Sequence, residues 1–217
     1  MFRIGYVDED PKEAQKIERN LREYFEVITY DIQKGLPKQD LLEQIYSSEI
    51  DLLMVDYLMK DRGILAYNGD EVVRDYEEIK PDFPMIIFTH NENQAFPQMD
   101  DVNIIYDKKI LNEDKEHFVE IIKKNILIYQ KYIEKRKKQI ENLLIKRETE
   151  EGLNAKEKDD LFRLQLELNR LDPRMHEETP SQLLSDMNLD HLADVTRDAQ
   201  ELLKILTNNS DKNINKH

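Results

Sequence analysis

The run Ile50-Asp51-Leu52-Leu53-Met54-Val55, which ends at Asp56, decides the fold of this chain. It is short, almost continuously apolar and bounded by polar residues, as is typical of a strand that is covered on both faces. Strands of this kind belong to parallel sheets with helices on each side. The run therefore predicts an α/β domain with this strand inside its sheet.

Strands and helices alternate on both sides of this run. Further strands are predicted at residues 2–7, 27–30, 84–88 and 103–106. Helices are predicted from Pro11 and at residues 36–46 and 70–79. The alternation implies βαβ units with right-handed crossovers, and so a doubly wound five-stranded parallel sheet. A further helix is due at residues 91–102, but Pro97 and a weak apolar pattern indicate that it is short or absent.

The composition excludes several classes of site. The chain of 217 residues contains no cysteine, which rules out disulfides, thiolate metal sites and a cysteine nucleophile. No apolar run approaches the roughly 18 residues that a membrane-spanning helix needs. Because Met1 leads directly into a strand-like segment, we expect no signal peptide, no membrane contact and a cytoplasmic location.

The charge is distributed unevenly. The formal net charge is −14, and residues 1–117 carry 27 acidic against 14 basic residues. Such an acidic half repels a phosphate backbone, so nucleic acid is disfavoured as a partner. The basic residues between Lys131 and Lys138 have no accompanying helix-turn-helix or aromatic pattern, and we interpret them as a solvated helix face.

Five polar residues follow the carboxyl ends of predicted strands. They are Asp8, Glu9, Asp56, Thr89 and Lys108. In a doubly wound sheet these ends form the ligand crevice. One such aspartate is more often a helix cap than a catalyst, but five polar residues at successive strand ends exceed what capping requires. Three carboxylates in one crevice need a cation, and an oxygen-rich site suits Mg²⁺. A carboxylate beside Mg²⁺ can form an aspartyl-phosphate.

Residues 1 to about 125 resemble the receiver domain of bacterial two-component response regulators. The matching motifs are Val-Asp-Glu-Asp-Pro (7–11), Leu-Leu-Met-Val-Asp (52–56), Asn-Gly-Asp-Glu-Val-Val (68–73), Ile-Ile-Phe-Thr (86–89) and Ile-Ile-Tyr-Asp-Lys (104–108). The resemblance implies a flavodoxin-like fold with strand order 2-1-3-4-5, Mg²⁺ as the cofactor and a sensor histidine kinase as the phosphoryl donor.

The resemblance also implies a role for each strand-end residue. Asp56 would be the phospho-acceptor and Glu9 the directly metal-bound acid, while Asp8 would support the metal through water. The backbone carbonyl of Leu58 would complete the metal shell. The implied activity is self-phosphorylation from phosphodonors and autodephosphorylation at Asp56 rather than conventional enzyme turnover.

Two further residues would contact the transferred group. Thr89 would donate a hydrogen bond to the phosphoryl oxygens, and Lys108 would pair with them. Lys109 is the alternative lysine, because the register of this segment allows either residue, and it would place Tyr106 at the switch position. With Lys108 as the lysine, Lys109 stands where receivers usually have a proline. We expect the peptide bond before Lys109 to be trans, since a cis bond there would cost about 2.5–4 kcal/mol. With Lys108 in this role, Ile105 replaces the usual switch aromatic residue.

A second departure lies after the acceptor. Receivers usually have a proline shortly after it, whereas here Lys60 follows Met59 and an extended loop runs to Tyr67. This loop borders the predicted site, where it would influence the lifetime of the phosphoryl group or the access of partners.

The C-terminal part is predicted to be helical. One helix runs from about Asn112, a candidate N-cap, to about Arg147, and a second runs from Lys156 to Leu171 after a break at Gly152–Asn154. The division that we predict is a receiver domain at 1–125 and an all-α extension at 126–217. Within the extension we expect a coiled-coil hairpin at about 126–172, a helix at about 180–206 and a frayed tail.

These features favour a response regulator whose output is protein–protein contact through the C-terminal helices with an effector that the sequence does not name. The apolar seam pairs either between two chains, giving a homodimer, or within one chain. Three alternatives are a pseudo-receiver scaffold that takes no phosphate, a DNA-binding transcriptional regulator and an aspartyl-nucleophile phosphatase. The phosphatase ranks last, because position 58 is leucine where that chemistry has a second aspartate.

Overall fold

The computed structural model describes residues 1–90 and 104–171. The chain divides into two compact units, Met1–Asn142 and Leu143–His217. The predictions for residues 91–102, for the helix at about 180–206 and for the tail lie outside the described residues. The predicted boundary at residue 125 stays a prediction. Among the helices of the described ranges, none combines the length and the apolar character that crossing a membrane requires.

The first unit contains the predicted parallel sheet. Its strands are β1 (Arg3–Val7), β2 (Glu26–Thr29), β3 (Leu52–Val55), β4 (Met85–Thr89) and β5 (Ile105–Asp107). They pair in the order β2-β1-β3-β4-β5, and all four pairings are parallel. This is the flavodoxin-like order, so the predicted fold class of this unit is confirmed.

The residues that the structure describes form six helices. They are α1 (Pro11–Leu21), α2 (Lys38–Ser47), α3 (Gly69–Ile79), α4 (Ile110–Glu113), α5 (Lys115–Arg147) and α6 (Ala155–Leu171). Helix α1 starts where the sequence signals it: Asp10 accepts a hydrogen bond from the Lys12 amide at 2.9 Å, and Pro11 takes the first helical position.

The core lies on both faces of the central strand. All four residues of β3 are buried, as the apolar run predicts. Phe118 of α5 stacks on Phe88 of β4 with ring centroids 5.0 Å apart and planes 12° apart, and Phe88 meets the edge of Tyr6 at 6.5 Å. The first turns of α5 are therefore packed against the sheet through aromatic rings.

The start of the long helix differs from the prediction. A separate short helix, α4, ends at Glu113, and α5 begins only at Lys115. Between them Asp114 leaves the helical conformation, with φ −153° and ψ 64°, and its Oδ1 accepts a hydrogen bond from the His117 amide at 3.2 Å. The prediction of Asn112 as the N-cap was therefore wrong, because Asp114 supplies the cap two residues later.

The described part of the second unit contains the end of α5 and all of α6. Gly152 lies in the connection between α5 and α6 and has a left-handed φ of +62°, a conformation that favours glycine. Asn154 then caps α6 by a reciprocal pair: its Oδ1 accepts from the Glu157 amide at 3.0 Å, and Glu157 Oε2 accepts from the Asn154 amide at 3.1 Å. The predicted break is confirmed at these residues, whereas the pairing of the two helices as a coiled coil stays a prediction.

The aromatic contact between α5 and the sheet yields a stability prediction. Replacing the fully buried Phe118 by alanine should lower the free energy of unfolding by about 3–5 kcal/mol, because it removes a large core side chain and leaves a cavity. Ile128 on the same helix is 57% exposed, and Ile128→Ala should cost about 0.5 kcal/mol or less. Urea unfolding of both variants measures the difference, and equal losses would contradict this packing.

Candidate functional site

The sheet register brings the ends of β1 and β3 to the same level. Val7 is the register partner of Val55, so the residues that follow, Asp8 and Asp56, leave the sheet side by side. The Asp56 amide donates to the Val7 carbonyl at 2.8 Å, which continues the strand pairing up to the acceptor residue. Carboxylate oxygens of Asp8, Glu9 and Asp56 lie within 4.8 Å of one another, and all three residues are buried.

Lys108 joins two of these carboxylates. Its Nζ lies 2.8 Å from Asp8 Oδ2 and 2.7 Å from Asp56 Oδ1. The backbone holds it there, because the Lys108 amide donates to the Thr89 carbonyl at 3.0 Å. Lys109 points elsewhere: its side chain is 64% exposed and pairs with Asp107 at 3.1 Å. The peptide bond before Lys109 is trans, as expected. Of the two candidate lysines, the structure places Lys108 in the crevice.

The carboxylate of Asp8 is held by protein groups on both oxygens. Oδ2 accepts from the Tyr6 hydroxyl at 2.6 Å as well as from Lys108, and Oδ1 accepts from the Asp10 amide at 2.8 Å. The Tyr6 hydroxyl belongs to the site although the sequence analysis did not single it out. The signal was its position two residues before Asp8, which places both side chains on one side of the chain.

Glu9 and Asp56 retain acceptor capacity. Glu9 Oε2 is buried and has no hydrogen-bond partner among the described residues. Asp56 Oδ2 accepts from the Leu58 amide at 3.0 Å. Buried acceptors are normally satisfied, so an unpartnered carboxylate oxygen beside a second carboxylate indicates room for a cation. In this buried cluster three carboxylates face one ammonium, and a hard divalent ion such as Mg²⁺ fits both the charge and the oxygen donors.

The electrostatics of the crevice agree with this fit. Burial raises the pKa of Glu9 to about 7, and the neighbouring Asp8 and Asp56 add to the shift. Burial also raises the pKa of Asp56, and the opposing effect of Lys108 does not fully offset it. For Lys108, burial lowers the pKa, but Asp56 and Asp8 outweigh burial and the net direction is upward. In the protein alone, the positive charges near Glu9 and Asp56 therefore offset the cost of burying these carboxylates only in part.

The remaining predicted residues border the same crevice. Thr89 ends β4 and is 1% exposed. Leu58 reaches the acceptor through its amide, and the metal role predicted for its carbonyl stays a prediction. The roles of Thr89, Lys108 and the three acids in phosphoryl chemistry also remain predictions that this geometry supports.

The first turn of helix α3 packs against the backbone of Asp56 and Tyr57. The Gly69 amide donates to the Tyr57 carbonyl at 3.0 Å, and a Cβ atom at position 69 would overlap the Asp56 carbonyl oxygen. Only glycine allows the first turn of α3 to approach the acceptor this closely. The motif Asn68-Gly69 thus has a packing role directly behind the crevice.

The loop after the acceptor is tied to the same helix. Lys60 takes the position where a proline was expected, and its amide donates to Asn68 Oδ1 at 3.0 Å. Its ammonium pairs with Glu71 in the first turn of α3, and this hydrogen bond lowers the pKa of Glu71. Lys60 therefore attaches the start of the loop to the N-terminal end of α3.

The geometry defines a flavodoxin-like α/β domain with an acidic crevice and one buried lysine, and comparisons with known proteins agree on the fold. No protein-family model and no curated protein matches the sequence. Among solved structures, the chain is similar to one described as adenylate cyclase from Rhodopirellula baltica, with 23% identity, 63% of this chain and 97% of that chain covered, and a TM-score of 0.50.

Receiver domains of response regulators are also among the structural neighbours. The BeF3-activated DrrB receiver domain shows 19% identity over 58% of this chain and 97% of that chain, with a TM-score of 0.44. The apo receiver domain of nitrogen regulatory protein C shows 20% identity over 59% of this chain and 97% of that chain, with a TM-score of 0.42. With TM-scores below 0.5, these two likenesses carry no argument about this chain.

The buried ion pairs predict a difference between the two lysines. Lys108→Met should lower the free energy of unfolding in metal-free buffer by about 3 kcal/mol, because it leaves buried carboxylates uncompensated. Lys109→Met, at an exposed pair, should change it by about 0.5 kcal/mol or less. Urea denaturation at neutral pH provides the measurement, and a larger loss for Lys109→Met would contradict the placement of Lys108.

The close approach at Gly69 gives a second prediction. Gly69→Ala should lower the free energy of unfolding by about 3 kcal/mol, at the upper end of the usual cost of overpacking, because the methyl group meets the Asp56 backbone. Gly63→Ala is the matched control: that glycine has a left-handed φ of +63° but open space, so the cost should be only about 1–2 kcal/mol. A smaller effect at Gly69 than at Gly63 would disprove the steric argument.

Proposed function

We propose that the first unit is a phosphorylatable receiver in which Asp56 accepts a phosphoryl group in the presence of Mg²⁺. The observation that carries the proposal is the Lys108 ammonium between Asp8 and Asp56, next to the unpartnered Glu9 oxygen. The crevice then holds a nucleophilic carboxylate, a cation site and a fixed ammonium within one cluster. These are the groups that phosphoryl transfer to a carboxylate requires.

Each residue has a defined part in this chemistry. Glu9, Asp56 and the Leu58 carbonyl would hold Mg²⁺, with Asp8 acting through water, because the oxygens of Asp8 already accept hydrogen bonds from Tyr6, Lys108 and Asp10. When bound, the ion neutralises charge on the phosphoryl oxygens.

Asp56 forms its bond to phosphorus as the bond between phosphorus and the donor breaks. The leaving group is the imidazole of a phosphohistidine or the acetate of acetyl phosphate, and it takes the electron pair of the broken bond. Lys108 is already 2.7 Å from Asp56 Oδ1 and pairs with the new phosphoryl oxygens, while the Thr89 hydroxyl donates to them.

The proposed donor is a sensor histidine kinase, and the proposed output passes through the helices. Thr89 follows Phe88 in β4, and Phe88 stacks on Phe118 of the continuous helix α5. Thr89 is therefore adjacent in sequence to Phe88, the residue through which β4 packs against Phe118 of α5. We propose that phosphorylation alters dimerisation or the docking of a protein effector by the C-terminal helices. A cytoplasmic location accords with a sensor histidine kinase as the donor.

Phosphorylation of Asp56 can be tested directly by intact mass. The wild-type protein should gain one phosphoryl group after incubation with acetyl phosphate and Mg²⁺, and Asp56→Asn should gain none because it lacks the nucleophile. Asp51→Asn is the matched control, since Asp51 precedes the same strand and accepts from the Arg3 amide at the opposite end. A gain in Asp56→Asn equal to that of wild type would contradict the assignment. No gain in the wild type, with Mg²⁺ bound, would favour the scaffold alternative.

A further inference from the structure

Arg62 extends from the loop after the acceptor to the acids of the crevice. Its Nε lies 3.5 Å from Glu9 Oε1, and its terminal nitrogen lies 2.8 Å from Asp10 Oδ2. The guanidinium thus spans two consecutive acids, one of them the carboxylate that carries the unpartnered oxygen. The Arg62 side chain is 53% exposed, so it contacts the crevice from the solvent side. The Lys108 side chain, in contrast, is buried in the crevice.

The loop that presents Arg62 is fixed by its own contacts. The Gly63 amide donates to the Lys60 carbonyl at 2.9 Å, which forms a turn with Arg62 at its third position. The Ile64 carbonyl accepts from the Gly35 amide at 2.9 Å, and Leu65 is buried. With Lys60 held by α3 at the other end, the backbone of the turn keeps Arg62 beside the crevice. The half-exposed side chain itself is free to leave Glu9.

We propose that Arg62 is a built-in competitor of the divalent cation, holding Glu9 in the metal-free protein and yielding it when Mg²⁺ binds. The inference rests on the proposed Mg²⁺ site and adds a residue that sets its affinity. Asp10 gives the guanidinium a second partner, so Arg62 can release Glu9 and stay on the loop side of the crevice.

The competition follows from charge and geometry together. Mg²⁺ and Arg62 draw on the same carboxylate through its two oxygens, because Arg62 contacts Glu9 Oε1 and the buried Oε2 is the oxygen with no partner among the described residues. Arg62 also places a positive charge beside the cation position, which repels a second cation. Removing Arg62 therefore leaves a more negative crevice with Glu9 fully available. A purely structural role would act in the opposite direction, since loosening the loop would disorganise the ligands.

The test is a titration of the full chain with Mn²⁺, followed by electron paramagnetic resonance of the free ion, and then displacement by Mg²⁺. Arg62→Gln should lower the Kd for both ions about three- to tenfold, the scale expected for one partly exposed charge at contact distance. Arg62→Lys should give a smaller decrease, because a lysine keeps the charge but loses the fork that reaches both acids.

Two control variants separate the possible results. Arg74→Gln removes an equal charge from α3, where the guanidinium pairs with Asp70 at 3.5 Å, and should leave the Kd within about twofold. Glu9→Gln should weaken binding more than tenfold with or without Arg62. Unchanged or weaker binding by Arg62→Gln, together with the loss in Glu9→Gln, would overturn the competitor role alone. Equal binding by wild type and Glu9→Gln would overturn the metal site itself and the inference with it.

Discussion

The contact of the Lys108 ammonium with Asp8 and Asp56 is the interaction on which the crevice depends. It joins Lys108 to Asp8, which lies 100 positions earlier in the chain, and to Asp56, at the carboxyl edge of three strands. The two carboxylates are buried and would repel each other without it. Its placement requires the pairing of β4 with β5, because the Lys108 amide is bonded to the Thr89 carbonyl. The strand pairing that completes the sheet therefore also sets the position of Lys108 in the site.

Most of the fold could be predicted because each strand is a short apolar run that stops at a polar residue. The runs at Leu52–Val55 and Met85–Thr89 are buried throughout, as near-continuous apolar runs in a parallel sheet covered on both faces predict. The start of the long helix was misplaced, because Asn112 and Asp114 are both good caps and local sequence does not choose between them. The separate turn of α4 makes that choice, and it depends on tertiary packing.

The sequence predicted those residues of the candidate site that directly follow the carboxyl ends of strands. The choice between Lys108 and Lys109 stayed open in the sequence, since both residues follow the strand in a turn where the alternation of a strand no longer applies. Tyr6 was missed because a tyrosine inside a buried strand has the pattern of a core residue, and its spacing of two residues from Asp8 does not by itself distinguish the two roles. Arg62 was missed for a different reason: the position of its loop beside the site was predictable, but no periodicity gives the destination of a loop side chain.

The close approach of Gly69 to the Asp56 carbonyl limits how the crevice can respond to a change in its acceptor. On that side the main chain of Asp56 already touches the first turn of α3, where not even a methyl group fits. The main chain of Asp56 therefore cannot shift toward α3. Any displacement of the acceptor backbone has to be directed away from that helix, whatever group the side chain carries.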